Sequence, residues 1–178
     1  MWMERQFGAR ITWLPFHLHP EYPPEGIPLS ELHRRYGIGV GEGDPLRDRF
    51  AAAGLDYNRP EIVPNTRLAL CMSELARERG LHEPFHDRLM DAYWSQATNI
   101  GDAVELRRLA AEVGLAADDV ERVIDGPALY LYVVEGSTRQ AVSIGVNGVP
   151  AFLLDRRLLV LGAQPFEVFR SAFAQLAA

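Results

Sequence analysis

The stretch "HEPFH", His82 to His86, carries the spacing with which zinc proteases hold their metal: two histidines one helical turn apart, with a glutamate beside the metal-bound water. Pro84 argues against that use. Proline belongs in the first turn of a helix, so the residues predict a helix from Pro84 to Gln96, with His82 at or outside its cap and out of step with His86. No metal site is expected there. His17 and His19, two residues apart, share one face of a predicted strand but have no third ligand at a suitable spacing, and read as a strand-end pair facing solvent. The glycine-rich "GIGVGEG", Gly37 to Gly43, puts Glu42 where a dinucleotide-binding loop needs its third glycine, and it follows a helix; it reads as a flexible loop.

Cys71 is the single cysteine. Alone it supports neither an internal disulfide nor a two-thiol redox cycle, and it shares a helix face with Leu68 and Leu75, as a buried structural thiol would. The remaining candidate is "GVNGVPAF", in which Pro150 heads a short apolar run that reads as a buried strand. A trans proline at the first residue of a strand and a cis Val149–Pro150 bond that turns the Val149 backbone outward are both compatible with these residues. In the second case Gly148, Val149 and Pro150 form a surface on which an extended peptide or a thiol-bearing ligand can pair.

These candidates depend on elements that the hydrophobic pattern sets out. Trp2 to Phe7 has helical character and stops at Gly8, and Arg10 to Leu18, rich in β-branched and aromatic residues, predicts a strand. Helices are expected over Leu29 to Tyr36 and Pro45 to Ala53, then from an Asn65 cap to Gly80. Further helices follow over Pro84 to Gln96, Asp102 to Val113, Ala117 to Asp125 and Ala128 to Ile144. A hairpin of Ala151 to Leu154 and Leu158 to Leu161 leads to a last helix that carries Phe166, Phe169, Phe173 and Leu176. Strand, helical stretch, hairpin and helix make an α/β layout.

At 178 residues, with 48% apolar and 24% charged side chains, the chain can bury a core. A net charge of -6 argues against nucleic acid or an anionic membrane as partner, since either needs clustered Lys and Arg. No stretch approaches the ~18 consecutive apolar residues of a membrane span and no leader peptide is recognisable, so a cytoplasmic location is expected.

Taken together, "ITWLPFHLHPEYPPEG", "NTRLALCMSELARERG", "AYWSQATNIGD", "LAAEVGL" and above all "IGVNGVPAFLLDRRLLVLGAQPFEVF" resemble, in order and over nearly the whole chain, the DsbA-like thioredoxin-fold oxidoreductases. The nearest branch is the FrnE-like one, which groups with 2-hydroxychromene-2-carboxylate isomerases. The resemblance implies a thioredoxin-like domain of residues 1–28 and 128–178, interrupted by a helical domain of residues 29–127. It also implies that Pro150 is the cis-proline which, with Gly148 and Val149, helps bind a polypeptide or thiol-bearing substrate.

The family begins with a strand and a C-P-x-C motif at the start of its first helix, and this sequence holds neither. By helix and strand rise roughly 20 to 25 residues are expected to be absent, from a truncated gene or a misplaced start. A neighbouring chain or a shifted hairpin would then have to fill the gap. No catalytic residue is assigned, and the chain is expected to be silent in disulfide exchange, with no cofactor. Two alternatives accompany this expectation: a glutathione-dependent isomerase or kappa-class transferase, and a redox-dead peptide-binding module. In the glutathione relatives an acidic residue opens the last helix, where Gln164 stands here. A second copy of the chain is the remaining partner to consider.

Overall fold

The structure is a computed structural model that describes residues 2–37 and 45–177. The glycine-rich loop expected after Tyr36 lies, apart from Gly37, outside the described residues. Two compact units divide the chain, residues 1–18 with 135–178 and residues 19–134. Relative to the expected boundaries, residues 19–28 and 128–134 fall with the helical unit. Tyr22 and Ile27 are buried there together with Leu32, and Val134 joins its core.

In the first unit, helix α1 (Trp2–Phe7) ends as its sequence predicts. Gly8 takes a left-handed φ of 62° and donates its N–H to the Glu4 carbonyl at 2.9 Å. The next segment corrects an expectation. Arg10 to Leu18 does not form a strand, because no described strand lies alongside it, and β-branched composition without a ladder partner leaves only irregular backbone.

The hairpin forms where the sequence predicts it. Strand β3 (Ala151–Leu154) pairs antiparallel with β4 (Leu158–Leu161), with Ala151 opposite Leu161 and Leu154 opposite Leu158. Asp155 (φ 48°) and Arg156 (φ 55°) are both left-handed in the turn, and the Arg157 N–H returns to the Leu154 carbonyl at 3.0 Å. One face of the hairpin, Phe152, Leu154, Leu158 and Val160, packs on Phe169, Ala172, Phe173 and Leu176 of the last helix, α9 (Phe166–Ala177), together with Trp2 and Met3. Phe7 stacks on Phe173 at 4.2 Å and Trp2 meets Phe166 at 4.5 Å, so the short α1 is held by aromatic contacts to α9.

The second unit contains α2 (Leu29–Tyr36), α3 (Pro45–Ala52), α4 (Arg67–Glu78), α5 (His82–Trp94), α6 (Ala103–Glu112) and α7 (Ala117–Asp125). It also has a two-residue antiparallel ladder, β1 (Ile27–Pro28) with β2 (Ile62–Val63). Helix α8 (Ala128–Ser143) begins in this unit and ends in the other.

Helix α4 is the axis of the helical core. Ala69, Cys71, Met72, Leu75 and Ala76 recur on one buried face, and α5, α6 and α7 pack around it. Its N-terminus is secured one residue earlier than the cap position. The Asn65 carboxamide accepts the Arg67 N–H at 2.9 Å and donates to the Tyr22 carbonyl at 2.6 Å. At α6 the cap is of the usual kind, with the Asp102 carboxylate accepting the Val104 N–H at 2.6 Å.

Among the described residues, no helix is long and apolar enough to cross a membrane.

Candidate functional site

Pro150 enters β3 without an N–H, so the head of the strand is anchored through its carbonyl alone, which accepts the Gly162 N–H at 2.8 Å. The Val149–Pro150 peptide bond is cis. Val149 is 53% exposed, Pro150 is exposed and Gly148 is half-buried. The loop thus leaves Val149 open to solvent beside a strand end held by the Pro150 carbonyl.

Across the hairpin, the Gln164 carboxamide donates to the Leu161 carbonyl at 2.8 Å, closing the loop between β4 and α9. Gln164 lies in the wall of an open cleft of about 400 Å³ between β4 and α9, whose other walls include Leu159, Leu161, Val168, Ser171 and Gln175. The cleft is shallow and open to solvent, and mixes apolar side chains with the neutral hydrogen-bonding groups of Gln164, Ser171 and Gln175. Gln164 is marked in the sequence by its place before the last helix, whereas Val168, Ser171 and Gln175 are not marked by residue type. The visible signal is the helical spacing of Val168, Ser171 and Gln175, a second stripe on α9 beside the aromatic one.

Cys71 belongs to the helical unit. It is completely buried between α4 and its neighbours, and its Sγ lies 4.0 Å from the Pro127 carbonyl oxygen. A thiol so enclosed presents no attacking sulfur to an external disulfide.

The histidines correct two expectations. His82 is inside α5, not outside it, because Pro84 sits in the first turn, where its missing N–H has no helical partner to lose. His82 and His86 therefore do lie one turn apart, with rings stacked at 5.9 Å. What faces them is a cation. The Arg77 guanidinium donates to Nε2 of His82 at 2.8 Å and also holds the buried Glu74 carboxylate at 3.1 Å. Burial first, then Arg77 and His86, push the His82 pKa below the ordinary imidazole value. Burial also lowers that of His86, with Asp87 opposing and Arg77 adding to the shift. Neutral imidazoles against a guanidinium form a packing contact. Among the described residues no group of three metal-ligating side chains comes together.

His17 and His19 do not form the solvent-facing pair expected of a strand end. With no strand to align them they fall in different units. His17 is buried and gives its backbone N–H to Thr138 Oγ1 at 2.9 Å, whereas His19 stacks on Tyr22 at 4.3 Å and meets Glu21 at 3.0 Å.

A hairpin entered through a cis-proline and followed by a helix, in a chain interrupted by a helical unit, defines a thioredoxin-like α/β protein. The chain belongs to the family of DSBA-like thioredoxin domains, which it matches over residues 3–174. Among solved structures it is similar to a probable DsbA oxidoreductase from Streptomyces coelicolor, with 32% identity, 96% of this chain and 76% of that one covered, and a TM-score of 0.86. The uncharacterized protein YwbO of Bacillus subtilis is 25% identical over 169 residues, 93% of this chain and 82% of its own. The cytosolic disulfide reductase DsbM of Pseudomonas aeruginosa, solved with GSH, shares the fold at 22% identity and a TM-score of 0.57 over 79% of each chain.

Proposed function

We propose that this DsbA-family chain binds an extended polypeptide or thiol-bearing ligand at Gly148, Val149 and Pro150, and does not by itself carry out thiol–disulfide exchange. The observation that carries this reading is the complete burial of its one cysteine, Cys71, in the helical unit. A disulfide exchange needs a thiolate in line with the sulfur under attack, and the exposed Val149 loop offers main-chain and apolar groups instead. A cytoplasmic setting within the FrnE-like branch is part of the proposal, and the cytosolic DsbM is a fold relative consistent with it.

The test pairs two assays on the purified chain. Insulin reduction is expected to stay at the uncatalysed rate, and binding of an unfolded, fluorescently labelled polypeptide is expected to weaken on Val149→Asp. Turnover that Cys71→Ser abolishes would overturn the first half. Binding indifferent to Val149 would overturn the second.

The alternative reading takes glutathione as the ligand of a transferase or isomerase at the cleft between β4 and α9, and Gln164, standing where the glutathione relatives carry an acidic residue, counts against it. Calorimetric titration with glutathione separates the two readings, because only this one expects heat that Gln164→Ala removes.

A further inference from the structure

The chain has four asparagines, and their surroundings differ in a way that bears on their chemistry. The Asn58 carboxamide donates to the Ser95 carbonyl at 2.6 Å. Asn65 is held at both ends of its carboxamide, by Tyr22 and Arg67. Asn99 accepts the Gly101 N–H at 3.0 Å. Each of these three precedes a residue with a branched or long side chain, Arg59, Thr66 and Ile100. Asn147 is the exception. It is exposed, its carboxamide makes no hydrogen bond among the described residues, and it precedes Gly148.

We propose that Asn147–Gly148 is a self-modifying site, at which the chain converts its own asparagine into aspartyl and isoaspartyl residues. The Gly148 backbone nitrogen attacks Cγ of Asn147, forming an N–Cγ bond. The Cγ–Nδ2 bond breaks, and the amide proton leaves with the nitrogen as ammonia. Water then adds to one of the two carbonyls of the five-membered imide. Opening one C–N bond returns an aspartyl residue, and opening the other runs the main chain through Cβ and Cγ. The co-reactant is water and no oxidation state changes.

Three features of the site favour the ring closure. The Gly148 N–H makes no hydrogen bond among the described residues, so the nucleophile is not tied up. A Cβ built on Gly148 would meet nothing within 4 Å, so the backbone has room to turn toward the side chain. The residues lie between Ser143, the end of α8, and Ala151, the start of β3, outside the ladders that hold backbone rigid. The molecule supplies its own control in Asp125–Gly126, where a cyclising side chain also precedes glycine. There the Gly126 N–H is committed to the Arg122 carbonyl at 3.1 Å.

The product places a carboxylate, and in part an extra backbone methylene, two residues before Val149–Pro150. That consequence for ligand binding rests on the function proposed above. The cyclisation itself does not.

The experiment is incubation of the whole purified chain at mildly alkaline pH and body temperature, followed by peptide mapping and labelling with an isoaspartyl methyltransferase. Conversion is expected at Asn147 and not at Asn58, Asn65, Asn99 or Asp125. Asn147→Gln, which closes a less favourable ring, and Gly148→Ala, which has the space to fold normally, should each slow conversion roughly tenfold or more, because a Cβ at the second residue restricts the backbone. An intact Asn147, equal conversion at the clamped asparagines, or an unchanged rate in Gly148→Ala would each overturn the proposal. Conversion of Asn147 that leaves polypeptide binding unaltered would count against the binding role of the neighbouring loop and leave the modification standing.

Discussion

Leu109, in the middle of the helical unit, is completely buried, whereas Leu153, on a strand of the hairpin unit, is 48% exposed. The contrast extends to their neighbours. Met72, Leu75, Phe85, Leu106, Val123 and Val134 form a closed core around α4, while the hairpin unit buries one face of two strands against α9 and leaves Val142, Ile144, Val149, Leu161 and Val168 in contact with water. Core burial is what opposes chain entropy, so the helical unit supplies stability and the thinner unit carries the candidate binding loop. The charged surface follows the same division. Arg107 with Glu121 ties α6 to α7 and Arg88 with Glu112 ties α5 to α6, while Arg108 bonds Glu105 and Glu112 of its own helix.

The sharpest way to break this comparison is Phe85→Ala. Truncating a fully buried aromatic should destabilise the chain by about 3–5 kcal/mol in urea titration, and a value near zero would mean the helical core is not the source of stability. Cys71→Ser comes next. A hydroxyl in the apolar space of the thiol should cost about 1–3 kcal/mol while leaving insulin reduction at background, and in the parent chain a thiol reagent should label Cys71 only under unfolding conditions.

Removing the cap of α6 by Asp102→Ala should cost about 1 kcal/mol, since the Val104 N–H then loses its acceptor.

Acid should weaken the helical unit by a smaller, graded amount. His82 and His86 are both depressed below the ordinary value of 6.5, so the unfolded chain takes up protons first. Their contribution to stability is therefore complete above about pH 6.5 and is lost as the pH falls below it. The urea midpoint should drop toward pH 5 or so, and His82→Gln with His86→Gln should flatten that slope. The smallest effect is expected from Leu153→Ala, under about 1 kcal/mol, because its side chain is already half in water. A cost near that of Phe85→Ala would erase the distinction between the units.

Periodic elements were legible in the sequence because their burial pattern is local. The hairpin strands, α2 and α7 fall on their expected residues, and the core face of α4 follows the 3.6-residue spacing of Cys71, Met72, Leu75 and Ala76. The segment Arg10 to Leu18 was not legible for the opposite reason. A strand exists only with its partner, and composition reports the preference of one chain segment without reporting what lies beside it. Pro84 misled in another way, since the first three positions of a helix all tolerate a missing N–H and the residue alone does not say which of them it occupies. Of the site, Gly148 to Pro150 and Gln164 were marked by residue type. The cleft that Gln164 lines had to be assembled from two elements, β4 and α9, whose facing sides no single stretch displays.

The turn between β3 and β4 carries a consequence for the working lifetime of the molecule. Asp155 and Arg156 both hold positive φ, a conformation that costs a residue with a side chain about 1–2 kcal/mol and that Asn-Gly adopts readily. By conformational criteria Asn-Gly is the better turn. It is also the dipeptide whose chemistry is proposed at Asn147, and on the tip of an exposed hairpin it would age in the same way. A protein engineer who relaxes this turn with that pair would therefore exchange durability of the covalent chain for ease of folding, and Gly-Gly is the replacement that relaxes the backbone without adding a second clock.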